Sequence, residues 1–256
     1  MPQLSATIIT VNEERNIARA IRSLREADEV VVVDSGSRDA TCRIAEELGA
    51  RVVHNAWPGY AAQKNFAAAQ ARHDWILNLD ADEELDAGAQ EALREWKAGS
   101  PAGADGQKSS QPAGYRWPRR AFYMGRWIRH SGWYPDWKIR LYDRRRGTWR
   151  GDYVHESVTV DGPVASMPGE ILHYTWRSLE AQYERTEIYT DLATQEMAAR
   201  GRLASPLDLW LAPPWTFAQT YFLKLGFLDG YAGFCIARAA AHYVRRRYEK
   251  LRSLYP

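Results

Sequence analysis

Within its first hundred residues the chain alternates four times between a short apolar run and a segment with helical spacing, and nothing else limits its possible folds as much. The runs are residues 4–11 (LSATIITV), 30–33 (four valines stopped by Asp34), Arg51–His54 and 75–79 (WILNL, stopped by Asp80-Ala81-Asp82). Between the first two, Ile17, Ala20, Ile21 and Leu24 recur at the intervals of one helix face. A second helix is expected after the turn Ser35-Gly36-Ser37-Arg38-Asp39, running to Leu48, and the alanine-rich residues 61–71 give a third. Strand and helix in such regular turn call for an α/β domain with a mostly parallel sheet and right-handed crossovers. The valine run shows no polar alternation, so helices should cover its sheet on both faces.

Local signals place the helix ends. Asn12 reads as an N-cap, with Glu13 and Glu14 at the positive end of the dipole of a helix lasting to about Arg25. Gly49 is placed to stop the second helix. Pro58-Gly59-Tyr60 opens the third, which carries Lys64 and Asn65, and a fourth is expected near Ala87–Lys97. Residues 1–97 would then form one half of the domain. Residues 98–114 are small, polar and rich in breakers, which suits a mobile surface loop. Residues 115–176, with short runs such as 138–142 (KIRLY) and 158–160, read as strands of a mixed or antiparallel second half. From 177 to 256 the pattern is helical.

A chain of 256 residues and 29.3 kDa has room for one large domain and an appendage. Its 11 Trp and 14 Tyr are many for that length. Such side chains suit sugar faces and membrane interfaces, although most aromatics simply bury in cores. Cys42 and Cys235 are too few for a disulfide scaffold or a thiolate metal site, and a reducing compartment is the expectation. The first residues lack the basic and then apolar pattern of a secretory signal. No uncharged apolar stretch reaches the roughly 18 residues needed to span a bilayer. The formal net charge of +2 conceals a basic segment: residues 115–150 hold eleven Lys and Arg against Asp136 and Asp143.

Acidic side chains follow three of the strands: Glu13 the first, Asp34 the second, Asp80 and Asp82 the fourth. In a parallel sheet these ends share one edge, where ligands of open α/β folds collect. Two carboxylates one residue apart suit a hard divalent cation, Mg²⁺ or Mn²⁺, shared with substrate phosphates. A nucleotide-sugar site needs this combination, with an acid near the nucleoside and positive charge against the diphosphate as it departs. The plainer alternative is that Asp34 and Asp39 cap the second helix and that the Asp80/Asp82 pair faces solvent or caps the next one.

The segments VNEERNIARAIRSL, VVVDSGSRDAT, Tyr60-Ala61-Ala62-Gln63-Lys64-Asn65 and LNLDADE, in this order and at these intervals, resemble the inverting family 2 glycosyltransferases of GT-A fold. A weaker match through GWYPDWKIRLYDRR and Val154-His155-Glu156 is similar to bacterial lipopolysaccharide-core enzymes that add glucose to an inner-core heptose. The resemblance implies a GT-A, Rossmann-like sheet flanked by helices. It implies Thr10, Asn12 and Glu13 around the nucleoside, Asp34 on the base, Lys64 towards the diphosphate, and Asp80 and Asp82 as the Asp-x-Asp motif, with Asp82 the more direct metal ligand. Val11 stands where many members carry an aromatic residue. Glu156 is the implied catalytic base, with His155 beside it, and Asp136 in Tyr134-Pro135-Asp136 is its rival. An inverting transferase makes one in-line displacement, so an acceptor-side carboxylate must take the hydroxyl proton.

The basic, aromatic residues 115–150 could bind nucleic acid. Their position directly after the nucleotide-sugar half favours instead an anionic glycolipid acceptor held by Arg. In residues 203–255 aromatic and aliphatic side chains are interrupted by Asp208, Lys224, Asp229 and Arg238 and end in Arg245-Arg246-Arg247, Lys250 and Arg252. That pattern fits helices lying in a membrane interface, or packed on the catalytic domain, or both. The expectation is a metal-dependent hexosyltransferase, using UDP-glucose, that is cytoplasmic and peripheral on the inner face of the cytoplasmic membrane. The rivals are transfer to a polyprenyl phosphate or another envelope polysaccharide, and a non-catalytic membrane-associated nucleotide-sugar binder. A nucleotidyltransferase would need a Gly-rich basic loop that ITVNEERN lacks.

Overall fold

The structure, a computed structural model, describes residues 2–99, 112–151, 156–175 and 179–254. These fall into two compact units. One contains the residues up to Arg119 together with Asp136–His173, the other Arg120–Pro135 together with the residues from Tyr174 onward.

The first unit opens with β1 (Leu4–Thr10), α1 (Ile17–Ser23), β2 (Glu29–Asp34), α2 (Thr41–Glu47), β3 (Arg51–His54), α3 (Tyr60–Gln70) and β4 (Trp75–Asp80). The four strands are parallel in the order β3-β2-β1-β4. β5 (Glu83–Leu85) and α4 (Ala87–Lys97) follow, then β6 (Gly114–Tyr123), whose end passes into the second unit with β7 (Arg126–Trp127). β8 (Asp136–Asp143) lies antiparallel to both β4 and β6, which makes the sheet mixed. β9 (Gly147–Arg150) and β10 (Ser157–Val160) form a separate antiparallel pair. β11 (Val164–Ser166) runs parallel to β6, and β12 (Ile171–Tyr174) runs antiparallel to β5.

The valines of β2 explain why no polar alternation was present. Val32 packs in a cluster with Ile17, Ile21, Ala45, Leu93 and Trp96, from α1, α2 and α4. Val31 and Val33 pack in another with Ile9, Ala67 and Phe66, from β1 and α3. Successive side chains point to opposite faces, and helices cover both.

The first helix differs from expectation. It starts at Ile17 with Asn16 as its N-cap, and Asn12 adopts a left-handed conformation (φ 55°). Asn12 and Glu13 instead join the loop after β1 to the loop after β2. The Asn12 side chain accepts the Arg38 N–H at 2.8 Å, and the Glu13 N–H donates to Thr41 Oγ1 at 2.8 Å. Of the loop expected at 98–114, residues 100–111 lie outside the described residues.

In the second unit the helices are α5 (Leu179–Ala199), α6 (Pro206–Ala218) and α7 (Gly230–Leu254), with a π turn (Gln219–Leu223) and a 3-10 turn (Gly226–Asp229) before α7. Tyr123, Ile128, Ala232, Cys235 and Ile236 form its small core. The buried Asp229 carboxylate accepts the backbone N–H groups of Arg129 and His130 at 3.1 and 3.0 Å. Ser205 and Asp208 close a capping box at the start of α6. Among the described residues no helix is long and apolar enough to cross a membrane.

Candidate active site

The site grows from strand register. Thr10 lies opposite Asp34, and Ile9 lies opposite Asp80, so the ends of β1, β2 and β4 share one edge of the sheet. The Thr10 hydroxyl is buried there without a hydrogen-bond partner. Asp34 is buried by the turn that follows it. Gly36 (φ 102°) lets the chain fold back, so that the N–H groups of Gly36 and Ser37 both donate to the Asp34 carboxylate at 2.9 Å. The Ser37 hydroxyl and His54 Nδ1 also contact it, the latter at 3.2 Å. Burial opposes ionisation, yet these bonds hold the Asp34 carboxyl below the usual carboxylate range. Ala40, not Asp39, is the N-cap of α2, and the Asp39 side chain accepts the Thr41 N–H at 3.0 Å from one residue further back.

α3 spans the gap between the ends of β2 and β4. Gln63 donates to Ser35 Oγ at 2.9 Å, and the next residue, Lys64, is fully buried with its ammonium between two acids. Lys64 Nζ lies 2.9 Å from Asp80 Oδ1 and 3.1 Å from Glu156 Oε1, and 4.4 Å from the centre of the Trp149 ring. A candidate metal ligand and the candidate base, 76 positions apart in the chain numbering, thus share one cation. His155, expected beside Glu156, lies outside the described residues.

On its other side Asp80 meets residues that sequence reasoning did not single out. Asp80 Oδ2 accepts from Arg140 at 2.8 Å, and the same guanidinium reaches Glu83 at 2.5 Å. Glu83 accepts from Arg119 at 3.0 Å, and Arg119 holds Asp136 at 2.7 Å, which also pairs with Lys138 at 3.1 Å. The ion pairs run unbroken from Glu156 through Lys64, Asp80, Arg140, Glu83 and Arg119 to Asp136. With Lys138 the four positive and four negative groups balance, as burial of charge requires. Burial opposes the charge on Asp80, but Lys64 and Arg140 keep its carboxyl far below the usual range. Burial likewise opposes the charge on Asp136, and Arg119 and Lys138 lower its carboxyl. Arg140 carried a faint signal, being a charged residue between Ile139 and Leu141 in a strand. Asp82 stands apart from this chain of pairs, its Oδ2 3.3 Å from His173 Nε2 of β12.

The arrangement sets Asp80 and Glu156 on either side of the buried Lys64 ammonium, with the charges balanced. The donor set also fits a hard cation. Asp80 and Asp82 offer only oxygen, and each Asp80 oxygen retains a lone pair beyond its ion pair.

The sequence profile described as glycosyl transferase family 2 matches residues 5–157. An uncharacterized glycosyltransferase of Rickettsia typhi is 31% identical over 99% of this chain and 88% of its own length. The lipopolysaccharide core biosynthesis glycosyltransferase LpsC of Rhizobium meliloti is 31% identical over 94% of this chain and 88% of its own. Among solved structures, glucosyl-3-phosphoglycerate synthase from Mycobacterium tuberculosis in complex with phosphoglyceric acid superposes with a TM-score of 0.50. It is 17% identical and covers 80% of this chain and 82% of that one, a likeness of fold.

Proposed function

We propose, from the premise that this chain belongs to glycosyl transferase family 2 and is a glycosyltransferase, that it moves glucose from UDP-glucose to a hydroxyl of a glycolipid such as the lipopolysaccharide inner core, with inversion. The observation that carries this reading is the Lys64 ammonium held between Asp80 and Glu156. It joins one strand-end acid, Asp80, to a carboxylate from beyond β9 on one buried cation.

In this reading Thr10, Asn12, Glu13 and Asp34 receive the nucleoside. Asp82 and Asp80 would hold Mg²⁺ or Mn²⁺, which when bound supplies positive charge opposite the departing diphosphate. Lys64 stabilises that same charge from the protein side. The Glu156 carboxylate takes the acceptor's hydroxyl proton while the new C–O bond forms and the bond to the diphosphate breaks. Arg119 and Lys138 favour the anion of Asp136, which weakens it as a base. The Arg-rich residues 115–150 suit a phosphorylated or carboxylate-bearing acceptor, and the exposed apolar face of α6 suits work at the inner face of the cytoplasmic membrane.

UDP release from UDP-glucose with Mn²⁺ and acceptor tests the reading. Asp82→Ala should abolish release. Glu156→Gln should lose roughly 10²–10⁴-fold in rate while still binding UDP, and Asp136→Asn far less. Full activity of Asp82→Ala in excess chelator would remove the cation from the scheme.

A further inference from the structure

α6 presents an apolar stripe to solvent. Leu207, Trp210, Leu211, Pro214 and Trp215 recur at the three- and four-residue spacing that normally marks a core-facing side. Here Leu207 is 67% exposed, Trp210 79% and Trp215 61%. The stripe continues through the π turn, where Phe222 and Leu223 are also exposed. No charge interrupts residues 209–223. A contiguous apolar surface of this kind marks an interaction site, and its Trp-rich character suits a bilayer interface.

Beside the stripe lies an open pocket of about 370 Å³ between α5, α6 and α7. Pro213, Pro214 and Phe217 form its apolar wall, and Arg238, His242 and Arg245 its cationic one. Pro214 belongs to both stripe and pocket, so the two surfaces are continuous. Arg238 makes no ion pair among the described residues. Arg245 directs its Nε to Glu249 at 2.8 Å, which leaves its terminal N–H groups for another acceptor. Tyr183 packs edge-on against His242, ring centres 5.1 Å apart. Two guanidinium groups beside an apolar wall match a phosphate that carries hydrocarbon.

We propose that this pocket binds the phosphate of an anionic membrane lipid, delivered to it when the exposed face of α6 enters a leaflet. The inference rests on the membrane-surface reading above and adds to it a built headgroup site.

Flotation of the full-length protein with phosphatidylcholine vesicles, and with vesicles containing phosphatidylglycerol, tests it. The wild type should prefer the anionic vesicles. Arg238→Gln/Arg245→Gln should lower binding to them roughly ten- to thirtyfold, towards the phosphatidylcholine level, with UDP-dependent stabilisation unchanged. Arg238→Lys/Arg245→Lys should restore only part of it, because lysine keeps the charge and loses the bidentate fork. Full recovery by the lysine pair, or equal binding to both vesicle types, would overturn the headgroup site and leave the membrane reading standing. Stabilisation by inorganic phosphate without lipid preference would make it a free-anion site and overturn the lipid assignment. No flotation with either vesicle would remove the membrane reading itself, and Trp210→Ser/Trp215→Ser, expected to lose both vesicle types, shows that the stripe makes the contact.

Discussion

Arg140 is the residue whose importance only the neighbours reveal. It is 2% exposed and holds both Asp80 and Glu83, which are charged on account of it and of Lys64 and Arg119. Its loss would leave two carboxylates short of a buried cation. Arg140→Leu should therefore destabilise the protein by roughly 3–5 kcal/mol, read as a lower denaturant midpoint, and Arg140→Leu/Glu83→Leu should recover part of the loss. The same network bears on the choice of base. Asp136 is anchored from two sides by Arg119 and Lys138, whereas the ion pair seen at Glu156 is the one to Lys64. Asp80, Asp82, Asp34 and Glu156 were singled out from the residues and their resemblance. Arg119, Glu83 and His173 were not, since each matters through a partner on a strand distant in sequence.

At the scale of elements, the parallel half of the sheet was readable almost to the residue. β3 and α4 have the expected bounds, and β1 ends one residue earlier than expected. The start of α1 was not readable, because Asn12 is engaged by Ser37 and Arg38 of another loop and these contacts outweigh its capping preference. The docking of α5 on α7 was equally hidden. Glu187 of α5 accepts from Arg246 of α7 at 2.9 and 3.0 Å and pairs with Lys250 at 3.0 Å. Hydrogen bonding from Arg246, with Lys250 adding to it against burial, lowers the Glu187 carboxyl to about 2. A depressed folded-state value stabilises above the ordinary glutamate range, and that stability fades as pH falls from there towards 2. With Glu187 43% exposed the effect is screened, to about 1 kcal/mol or less. Glu187→Gln should thus be slightly less stable than wild type at pH 7 and indistinguishable from it near pH 2, by urea midpoints at the two values.

For the whole molecule, binding at the strand edge should appear as stability. UDP with Mn²⁺ at about a hundred times its Kd should add roughly 2.7 kcal/mol, or roughly 5–10 °C in Tm for a chain of this size. Asp82→Ala should lose the Mn²⁺-dependent part, and equal shifts with and without Mn²⁺ would place the nucleotide apart from the Asp80/Asp82 pair. By itself the sequence determined the alternation of buried strands and helices, the α/β class and the placing of acids at strand ends. Those properties depend on local spacing and on which side chains tolerate water. Tertiary structure alone decided that Lys64 would neutralise Asp80 and Glu156 together, that Arg140 and Arg119 would link both candidate bases, and that the stripe of α6 would face outward. Ion pairs across a fold and the covering of a helix face depend on distances that chain order does not encode, because each needs a second element to arrive at the same place.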